Sequence, residues 1–447
     1  MINSEYVLLA GILFLIVLDL ARNRFRSNNK GITHYATLAV LVLAFIVEIF
    51  SGNMNLPFFS STQYSQFVNG FILFIAVMID IFLLADNKAY SAYIDILLVL
   101  AVLGAMLVVI SSNLISLVIA IELISISSYG LAFFQKTDAR MEGAMKYVSI
   151  SFLSVVIMIF GVSLVYGGTG SLSFSNTRAV DYIPFIAGVG ILIVGLSFKS
   201  TIVPFHMWAP DVYEASNGAV TAFLSSISKT AGLVALIRVF FFAFQISSDF
   251  VSTMFFILAI ATIFFASFLA TVQDRIKRLL AYSSIAQAGF AFVAVGLLRT
   301  GAESAAVFYI FSFAIADALV FLAYKLFEDR GIVLLKDGYK MPSVSKIGTA
   351  CLFIGVLSLF GVPPTIGFFG KLLIFTSLLS SGYVYLVLAL FAILLYSTFY
   401  YFNLLGKLWG KTSGVTATKT GRFRVKEAVL IVLTIALFIG VWFIQAI

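Results

Sequence analysis

The sequence predicts an all-α polytopic membrane protein with about fourteen transmembrane helices, and two observations support this fold class. Hydrophobic residues make up 62% of the 447 residues, charged residues make up 11%, and the mean hydropathy is +1.10. Soluble globular domains contain about 25% charged residues, so this composition excludes that class. Apolar runs of helix-spanning length recur along the chain without the short alternating pattern of a membrane barrel, which favours helices.

The first apolar run, residues 5–21, is interpreted as a membrane span and not as a signal peptide. It has no basic segment before it and no small-residue cleavage site after it. The runs that follow are separated by short connections, and each is long enough to cross a bilayer with some tilt. The predicted spans are 5–21, 33–50, 66–85, 91–110, 113–134, 143–167, 183–203, 217–245, 249–272, 277–298, 301–327, 345–380, 383–406 and 426–446.

Basic residues are unevenly distributed between the two sides of the predicted membrane. Of the 28 lysines and arginines, 22 lie on one side, two lie on the other (Arg178 and Arg299), and four lie within spans. The positive-inside rule places the richer side in the cytoplasm, so both termini are expected outside. This asymmetry accounts for the net charge of +8, and binding to nucleic acid is not needed to explain it.

Five ionisable side chains lie well inside predicted spans, where a charge costs about 2.5–3.5 kcal/mol on insertion scales. They are Glu122, Lys199, Lys229, Asp317 and Lys371. One glutamate cannot neutralise three lysines in three spans, so a structural ion pair explains this set poorly. Buried amines and carboxyls can exchange protons near neutral pH, and a row of them linked by water and hydroxyl groups can pass a proton.

The remaining charged residues near span ends are interpreted as interfacial anchors whose charged groups reach toward water. The chain has one cysteine, Cys351, which cannot form an intrachain disulfide or, by itself, a metal or iron–sulfur site. We therefore expect no metal or redox centre in this chain. The interpreted anchors are Asp19, Glu48, Asp80, Asp95, Arg238 and Asp249.

Prolines interrupt two of the spans that carry a buried lysine. Pro204 cannot donate a hydrogen bond to the carbonyl of Ser200, and Pro363 and Pro364 precede Lys371, so helices 7 and 12 are predicted to be broken. Broken helices at matching places indicate two inverted five-helix repeats, spans 4–8 and 9–13, although the proline follows the lysine in one and precedes it in the other. The predicted domains are an N-terminal three-helix segment at 1–90, the repeats at 91–245 and 246–410, and a C-terminal loop and helix at 411–447.

Six local stretches, in a fixed order, make the chain recognisable. They are AIELISISSYGL, ARMEGAMKYVSISF, YGGTGS, FKSTIVPFHMWAPDVYEASNGAVTAFLSSISKTAGLVALIRVF, RIKRLLAYSSIAQAGF and LSLFGVPPTIGFFGK. Together they closely resemble subunit N of the proton-translocating NADH-quinone oxidoreductases (respiratory complex I), a family of antiporter-like subunits. The PFHMWAPDVYE portion separates subunit N from its sister subunits L and M. The resemblance covers about residues 66–410.

The resemblance implies a proton path through matching positions. Glu122 would pair with Lys199, Lys229 would be the central relay, and Lys371 would lie on the exit side. His206 matches a histidine that follows the first helix break. An interfacial role, with the ring held by helix-end carbonyls, fits its position equally well.

The chain departs from the family pattern at several positions. Gln287 stands where a histidine is common, and it can order water without carrying a proton charge. Asp317 lies outside the pattern, so it either takes over the missing titratable role or pairs with a tyrosine such as Tyr282 or Tyr309. Residues 214–218 read EASNG in place of the usual Pro-Thr-Pro type of turn.

The resemblance also implies which chemistry belongs to other chains. NADH, FMN, iron–sulfur clusters and quinone are expected in partner subunits, with no cofactor in this one. Expected partners are membrane subunits of the L, M, K, J, A and H types, the peripheral redox arm and the lipid bilayer of a prokaryotic cell membrane.

Three other functions compete with a proton-pumping subunit. The chain could belong to a multi-subunit Na⁺/H⁺ antiporter, to a ferredoxin-, F420- or hydrogenase-linked ion pump, or to a non-conducting scaffold. Three buried lysines argue against a scaffold. A sodium site would need clustered carboxylates and carbonyls, and only Glu122 and Asp317 are expected to be available. The APDVYE segment favours the redox complex.

Overall fold

The computed structural model describes residues 3–24, 31–86, 92–133, 138–174, 182–240, 249–297, 302–408 and 421–445. Thirteen helices within these ranges are long and apolar enough to cross a membrane. Two shorter apolar helices, Lys346–Phe360 and Ile366–Ser380, stand where the twelfth span is predicted. The predicted all-α membrane fold with about fourteen spans is therefore confirmed.

The helices follow the hydropathy pattern because each apolar run can satisfy its backbone hydrogen bonds only within itself once it lies in lipid. A two-residue hairpin, β1 (Met54–Asn55) and β2 (Ser60–Ser61), lies between the second and third helices. The helices are α1 Ser4–Arg24, α2 Gly31–Ile49, α3 Gln63–Leu84, α4 Ala92–Ile110, α5 Leu114–Phe133, α6 Asp138–Thr169, α7 Tyr182–Lys199, α8 Trp208–Ala215, α9 Gly218–Phe223, α10 Lys229–Ile237, α11 Asp249–Thr271, α12 Ile276–Gly296, α13 Ala302–Glu328, α14 Met341–Val344, α15 Lys346–Phe360, α16 Ile366–Ser380, α17 Val384–Leu408 and α18 Gly421–Ile439.

Side-chain caps fix the start of several helices. Thr62 and Ser65 form a reciprocal capping box at the start of α3. Asn217 accepts a backbone N–H at the start of α9, and Ser345 does the same for α15. Each such cap satisfies an otherwise unpaired backbone donor and stabilises the helix by about 1 kcal/mol.

Both spans that the sequence predicts to be discontinuous are broken. The seventh span stops at the end of α7, and the chain re-enters helix only at α8; the twelfth stops at the end of α15 and resumes at α16. The first gap contains Pro204, and the second contains Pro363 and Pro364. The prolines thus lie where the backbone hydrogen bonds are interrupted.

The two broken helices end with the same backbone geometry. Thr201 at the first break has φ +58°, and Gly361 at the second has φ +92°. In each case the N–H of the next residue donates to the carbonyl five positions before it, at 2.9 Å and 3.0 Å respectively. This hydrogen bond is typical of a Schellman motif, in which a residue with positive φ ends an α-helix. The same interval of 160 residues separates Thr201 from Gly361 and Pro204 from Pro364. This shared interval supports the internal repeat.

The chain divides into two compact units, the first reaching Leu196 and the second beginning at Ser197. In the second unit, the spans at 218–240, 276–296 and 303–328 each contain an 18-residue stretch in which every residue is buried. Helices so thoroughly apolar and enclosed form the centre of a membrane bundle, and any polar side chain on them must find a protein partner. The predicted repeat boundaries after residues 90, 245 and 410 stay a prediction.

We expect Gly367→Ala to destabilise the second broken helix. A Cβ at Gly367 would overlap the carbonyl oxygen of Ser358, so α16 would have to move away from α15 at a cost of about 1–3 kcal/mol. Gly406→Ala in α17 is the matched control, because no atom lies within 4 Å of a Cβ built there.

The measurement is the thermal unfolding midpoint of each purified variant in nanodiscs. The midpoint should fall for Gly367→Ala and stay level or rise slightly for Gly406→Ala. Equal midpoints for the two variants would contradict the close approach of the half-helices.

Candidate functional site

The three lysines expected within spans are buried in the second unit. Lys199 is the last residue of α7, Lys229 opens α10, and Lys371 lies in the second turn of α16. A π-helical turn, Leu224–Ser228, directly precedes Lys229, and such turns occur often at functional sites. The side-chain stem of Lys199 packs against Gly232, where a built Cβ would lie 3.1 Å from the lysine Cγ. The end of α7 therefore touches α10 one turn beyond Lys229.

Lys229 is hydrogen-bonded through a serine to a carboxylate. Its Nζ donates to the carbonyl of Ser284 at 3.1 Å and to the Ser284 Oγ at 2.5 Å. The Ser284 hydroxyl in turn donates to Oδ2 of Asp317, which is 0% exposed. The ring of Tyr213 lies 5.7 Å from the same Nζ, a distance at which an aromatic face attracts a cation. An ammonium, a hydroxyl and a carboxylate thus form one continuous hydrogen-bonded path.

This path identifies the hydrogen-bond partner of Asp317. Asp317 accepts from Ser284 on α12, whereas Tyr309 donates to a different residue and Tyr282 lies buried two positions before the serine. Whether Asp317 takes over a titratable role stays a prediction.

Gln287 lies one turn after Ser284 and joins two tyrosines. The hydroxyl of Tyr309 donates to Oε1 of Gln287 at 2.6 Å, and Nε2 of Gln287 donates to the hydroxyl of Tyr401 at 2.9 Å. The Tyr401 hydroxyl also lies 2.6 Å from Oγ of Ser283. Tyr401 is a site residue that sequence reasoning missed, although two adjacent tyrosines within an apolar span are a signal that points to it.

Lys371 is held by the backbone that the second helix break exposes. Its Nζ donates to the carbonyl of Leu359 at 2.6 Å and to that of Phe360 at 2.9 Å. These are the last carbonyls of α15, which have no intrahelical donor and carry the negative end of the helix dipole. The ring of Phe290 lies 5.0 Å from the same Nζ. The break therefore provides a solvation shell for a buried ammonium.

Each break has a lysine ammonium group associated with it, although the lysine precedes the break in one span and follows it in the other. Leu359, whose carbonyl accepts from Lys371, follows Lys199 by the same 160 residues that relate the two breaks. Lys371 therefore reaches back across the second break to the position that corresponds to Lys199 in the first. This explains why proline follows the lysine in one span and precedes it in the other.

Lys371 also lies close to the tyrosines that flank Gln287. A Cβ built on Gly370 would lie 3.0 Å from Cδ2 of Tyr309, and the rings of Phe360 and Tyr401 are 5.2 Å apart. The structure thus brings together Lys229, Asp317, Gln287 and Lys371 within the second unit.

Two of the predicted site residues fall outside these contacts. His206 is buried in the first break, where its described partner is the backbone of Pro204 and not a lysine. Glu122 lies half-buried on α5 in the first unit, and Tyr129, two turns further along, donates to Ser151. Placement of His206 and Glu122 in the proton path stays a prediction, as does the pairing of Glu122 with a lysine of the second unit.

A cluster of opposite charges closes one end of the second unit. Lys277 and Lys325 belong to the 22 basic residues on the positive side, yet both are buried and engage carboxylates. Ion pairs of this kind neutralise the charges at this end of the helices. The pairs are Lys277 with Glu328, Lys325 with Asp329, Arg275 with Glu214, and Arg278 with Asp211 and Glu214.

Comparisons with known proteins show the family of this chain. The family model described as NADH:quinone oxidoreductase/Mrp antiporter, TM, matches residues 111–396. F(420)H(2) dehydrogenase subunit N of Methanosarcina mazei is 32% identical, covering 93% of this chain and 90% of its own length. NADH-quinone oxidoreductase subunit N 1 of Thermodesulfovibrio yellowstonii is 32% identical, covering 91% and 87%.

Solved structures share the fold. A chain of respiratory complex I from Thermus thermophilus with bound aureothin matches with a TM-score of 0.85 at 23% identity, covering 99% of this chain and 98% of that one. A chain of the Mrp complex from Dietzia sp. matches with a TM-score of 0.84 at 19% identity, covering 99% and 95%. With more than half of its length matched by the family model and relatives above 30% identity over nearly all of it, this chain belongs to the NADH:quinone oxidoreductase/Mrp antiporter family, as a relative of subunit N.

Proposed function

We propose that the chain is the proton-translocating membrane subunit of a quinone-reducing oxidoreductase of the complex I type. The observation that carries this proposal is the buried path from Lys229 through Ser284 to Asp317. The names of its relatives, subunits N of NADH-quinone oxidoreductases among them, support the same assignment.

The path can move a proton without creating a net charge in the membrane. When Lys229 gives a proton to Oγ of Ser284 and the serine gives its own to Asp317, an ion pair becomes two neutral groups. Two ionisable groups that are linked in this way titrate as a unit, so a charge that arrives nearby changes the proton affinity of both. Lys371 is the next basic group in the row and lies beyond the tyrosine pair that holds Gln287.

Transport against a membrane potential needs energy that these residues cannot supply. Moving one charge through the field costs about 2.3 kcal/mol per 100 mV. We propose that partner subunits provide it by electron transfer among NADH, FMN, iron–sulfur clusters and quinone, with membrane partners of the L, M, K, J, A and H types. The excess of basic residues on one side supports a cytoplasmic location for that side in a prokaryotic cell membrane, with both termini outside.

A Na⁺/H⁺ antiporter subunit is the second candidate, because the matching family includes Mrp antiporters. The expectation that only Glu122 and Asp317 would be available as buried carboxylates is wrong, since the first unit also buries Asp80 and Asp95. In the second unit, however, the carboxylate at the centre of the row, Asp317, is already engaged by Ser284. Sodium prefers several oxygen ligands, so the geometry at Asp317 favours proton transfer.

We expect Lys229→Gln to abolish proton pumping while electron transfer continues. Glutamine keeps hydrogen-bonding capacity toward Ser284 but cannot carry the proton. Lys336→Gln is the matched control, because Lys336 is exposed on the 3₁₀ turn Leu335–Lys340. Protons moved per electron, measured in vesicles that contain the assembled complex, should fall to near zero in the first variant only. An unchanged ratio in Lys229→Gln would exclude it as the central relay.

We expect Asp317→Asn to lower pumping as strongly as Lys229→Gln does. Asparagine still accepts the hydrogen bond from Ser284, but it cannot take up the proton. Removing one partner of a buried pair also destabilises by about 3–5 kcal/mol.

The double variant Lys229→Gln, Asp317→Asn separates these two effects. It should recover the unfolding midpoint without recovering pumping. Full pumping in Asp317→Asn would restrict Asp317 to a packing role.

The electron donor distinguishes the complexes to which such a chain can belong. We expect the complex purified through a tag on this chain to oxidise NADH with a quinone acceptor. F420H2 is the comparison donor, because an F(420)H(2) dehydrogenase subunit is among the relatives. If the complex oxidises F420H2 and not NADH, F420H2 is the donor. Recovery of the chain with antiporter subunits and no flavin would contradict the assignment to a redox complex.

A further inference from the structure

Three ionisable side chains meet at one end of the first unit. His34 lies in the first turn of α2, Asp80 in the last turn and a half of α3, and Asp95 in the first turn of α4. Consecutive helices that cross a membrane run in opposite directions, so these three positions share one end of the bundle. All three side chains are buried, and Asp80 is 0% exposed.

The interpretation of Asp80 and Asp95 as interfacial anchors is wrong. Proximity to a span end permits a side chain to reach toward water, but here both point between the helices, with 0% and 1% exposure. Glu48 and Asp19 are buried in the same unit as well. Hydropathy does not record the direction in which a side chain leaves its helix, which is why this set was misassigned.

The three side chains converge on one point. Nδ1 of His34 lies 2.8 Å from Oδ1 of Asp95, and one ligand atom from each of the three residues lies within 4.8 Å of the other two. Within the described residues, neither oxygen of Asp80 has a hydrogen-bond donor. A fully buried carboxylate without donors is unfavourable in water-free surroundings. With both carboxyl groups ionised, the cluster has a net negative charge whether His34 is neutral or protonated.

We propose that His34, Asp80 and Asp95 bind a divalent transition-metal ion with the ligand chemistry of Zn²⁺. Two carboxylates and a neutral imidazole balance a charge of +2. Hard cations such as Na⁺ and Ca²⁺ prefer all-oxygen sites, whereas an imidazole nitrogen favours zinc and its first-row neighbours.

The spacing of the ligand atoms is compatible with this ion. Zinc lies about 2.0–2.2 Å from nitrogen and oxygen ligands and often keeps a fourth position for water. Metal binding would require side-chain rotations that bring the three ligand atoms, which lie within 4.8 Å of one another, to a common centre. The ion would join α2, α3 and α4, and its role would be independent of the lysine row.

A proton shared between His34 and Asp95 is the competing explanation of their close approach. Such a proton satisfies those two groups but gives Asp80 no donor. The unpaired carboxylate of Asp80 is therefore the observation that favours a metal ion over a proton.

The test is a Co²⁺ titration of the full-length chain, carrying a tag without histidines and reconstituted in nanodiscs. We expect a visible absorption band that saturates at one equivalent and disappears when Zn²⁺ is added. His34→Gln and Asp80→Asn should each weaken binding by about tenfold or more. Zinc X-ray absorption should show nitrogen and oxygen neighbours without sulfur.

Two variants serve as matched controls. His206→Gln removes the other of the two histidines, and Glu48→Gln removes a buried carboxyl of the same unit that Ser4 already engages. Both should retain the Co²⁺ band of the unchanged chain. A chain that shows no saturable band, or a band that survives Asp80→Asn, would overturn the metal site, and the first result would leave the shared proton as the explanation.

Discussion

An ammonium group inside a hydrocarbon layer must be surrounded by hydrogen-bond acceptors, because water is not there to solvate it. This requirement links the features of the second unit. Within an unbroken helix every carbonyl already accepts a hydrogen bond from the following turn, so none is available for a lysine. Breaking a helix releases carbonyls, and two of these hold Lys371. The breaks are therefore both a cost to the backbone and the means by which positive charge is buried.

Lys229 satisfies the same requirement differently. It follows a π-helical turn and not a break, so it depends on a neighbouring helix, through Ser284 and then Asp317. A lysine on backbone carbonyls has partners of fixed charge, whereas one linked to a carboxylate has a partner that can change charge. This difference makes Lys229 the more suitable site for switching and Lys371 the more suitable site for holding a positive charge.

Much of the fold could be predicted from sequence, because helix length and proline position are local properties. The spans, the two breaks and the burial of the lysines all follow from residues within a single segment. The partners do not: Ser284 lies 55 positions from Lys229, and Tyr401 lies 114 positions from Gln287. Asp317 is outside the pattern of the family, so resemblance could not assign its partner. The positions of Lys277 and Lys325 in the sequence place them in loops rich in basic residues, but sequence position cannot show that their side chains are buried.

The amide of Gln287 has a further consequence for the row of buried groups. Its oxygen can only accept and its nitrogen can only donate, so the hydroxyl of Tyr309 points toward it while that of Tyr401 receives from it. Unlike a histidine, this side chain cannot take up a proton on one atom and release one from another. In the proposed proton path, Gln287 therefore cannot relay a proton itself. In the proposed path, we expect a charge on Asp317 to act on Lys371 through its electric field, and a proton to cross this point by a route other than the amide of Gln287.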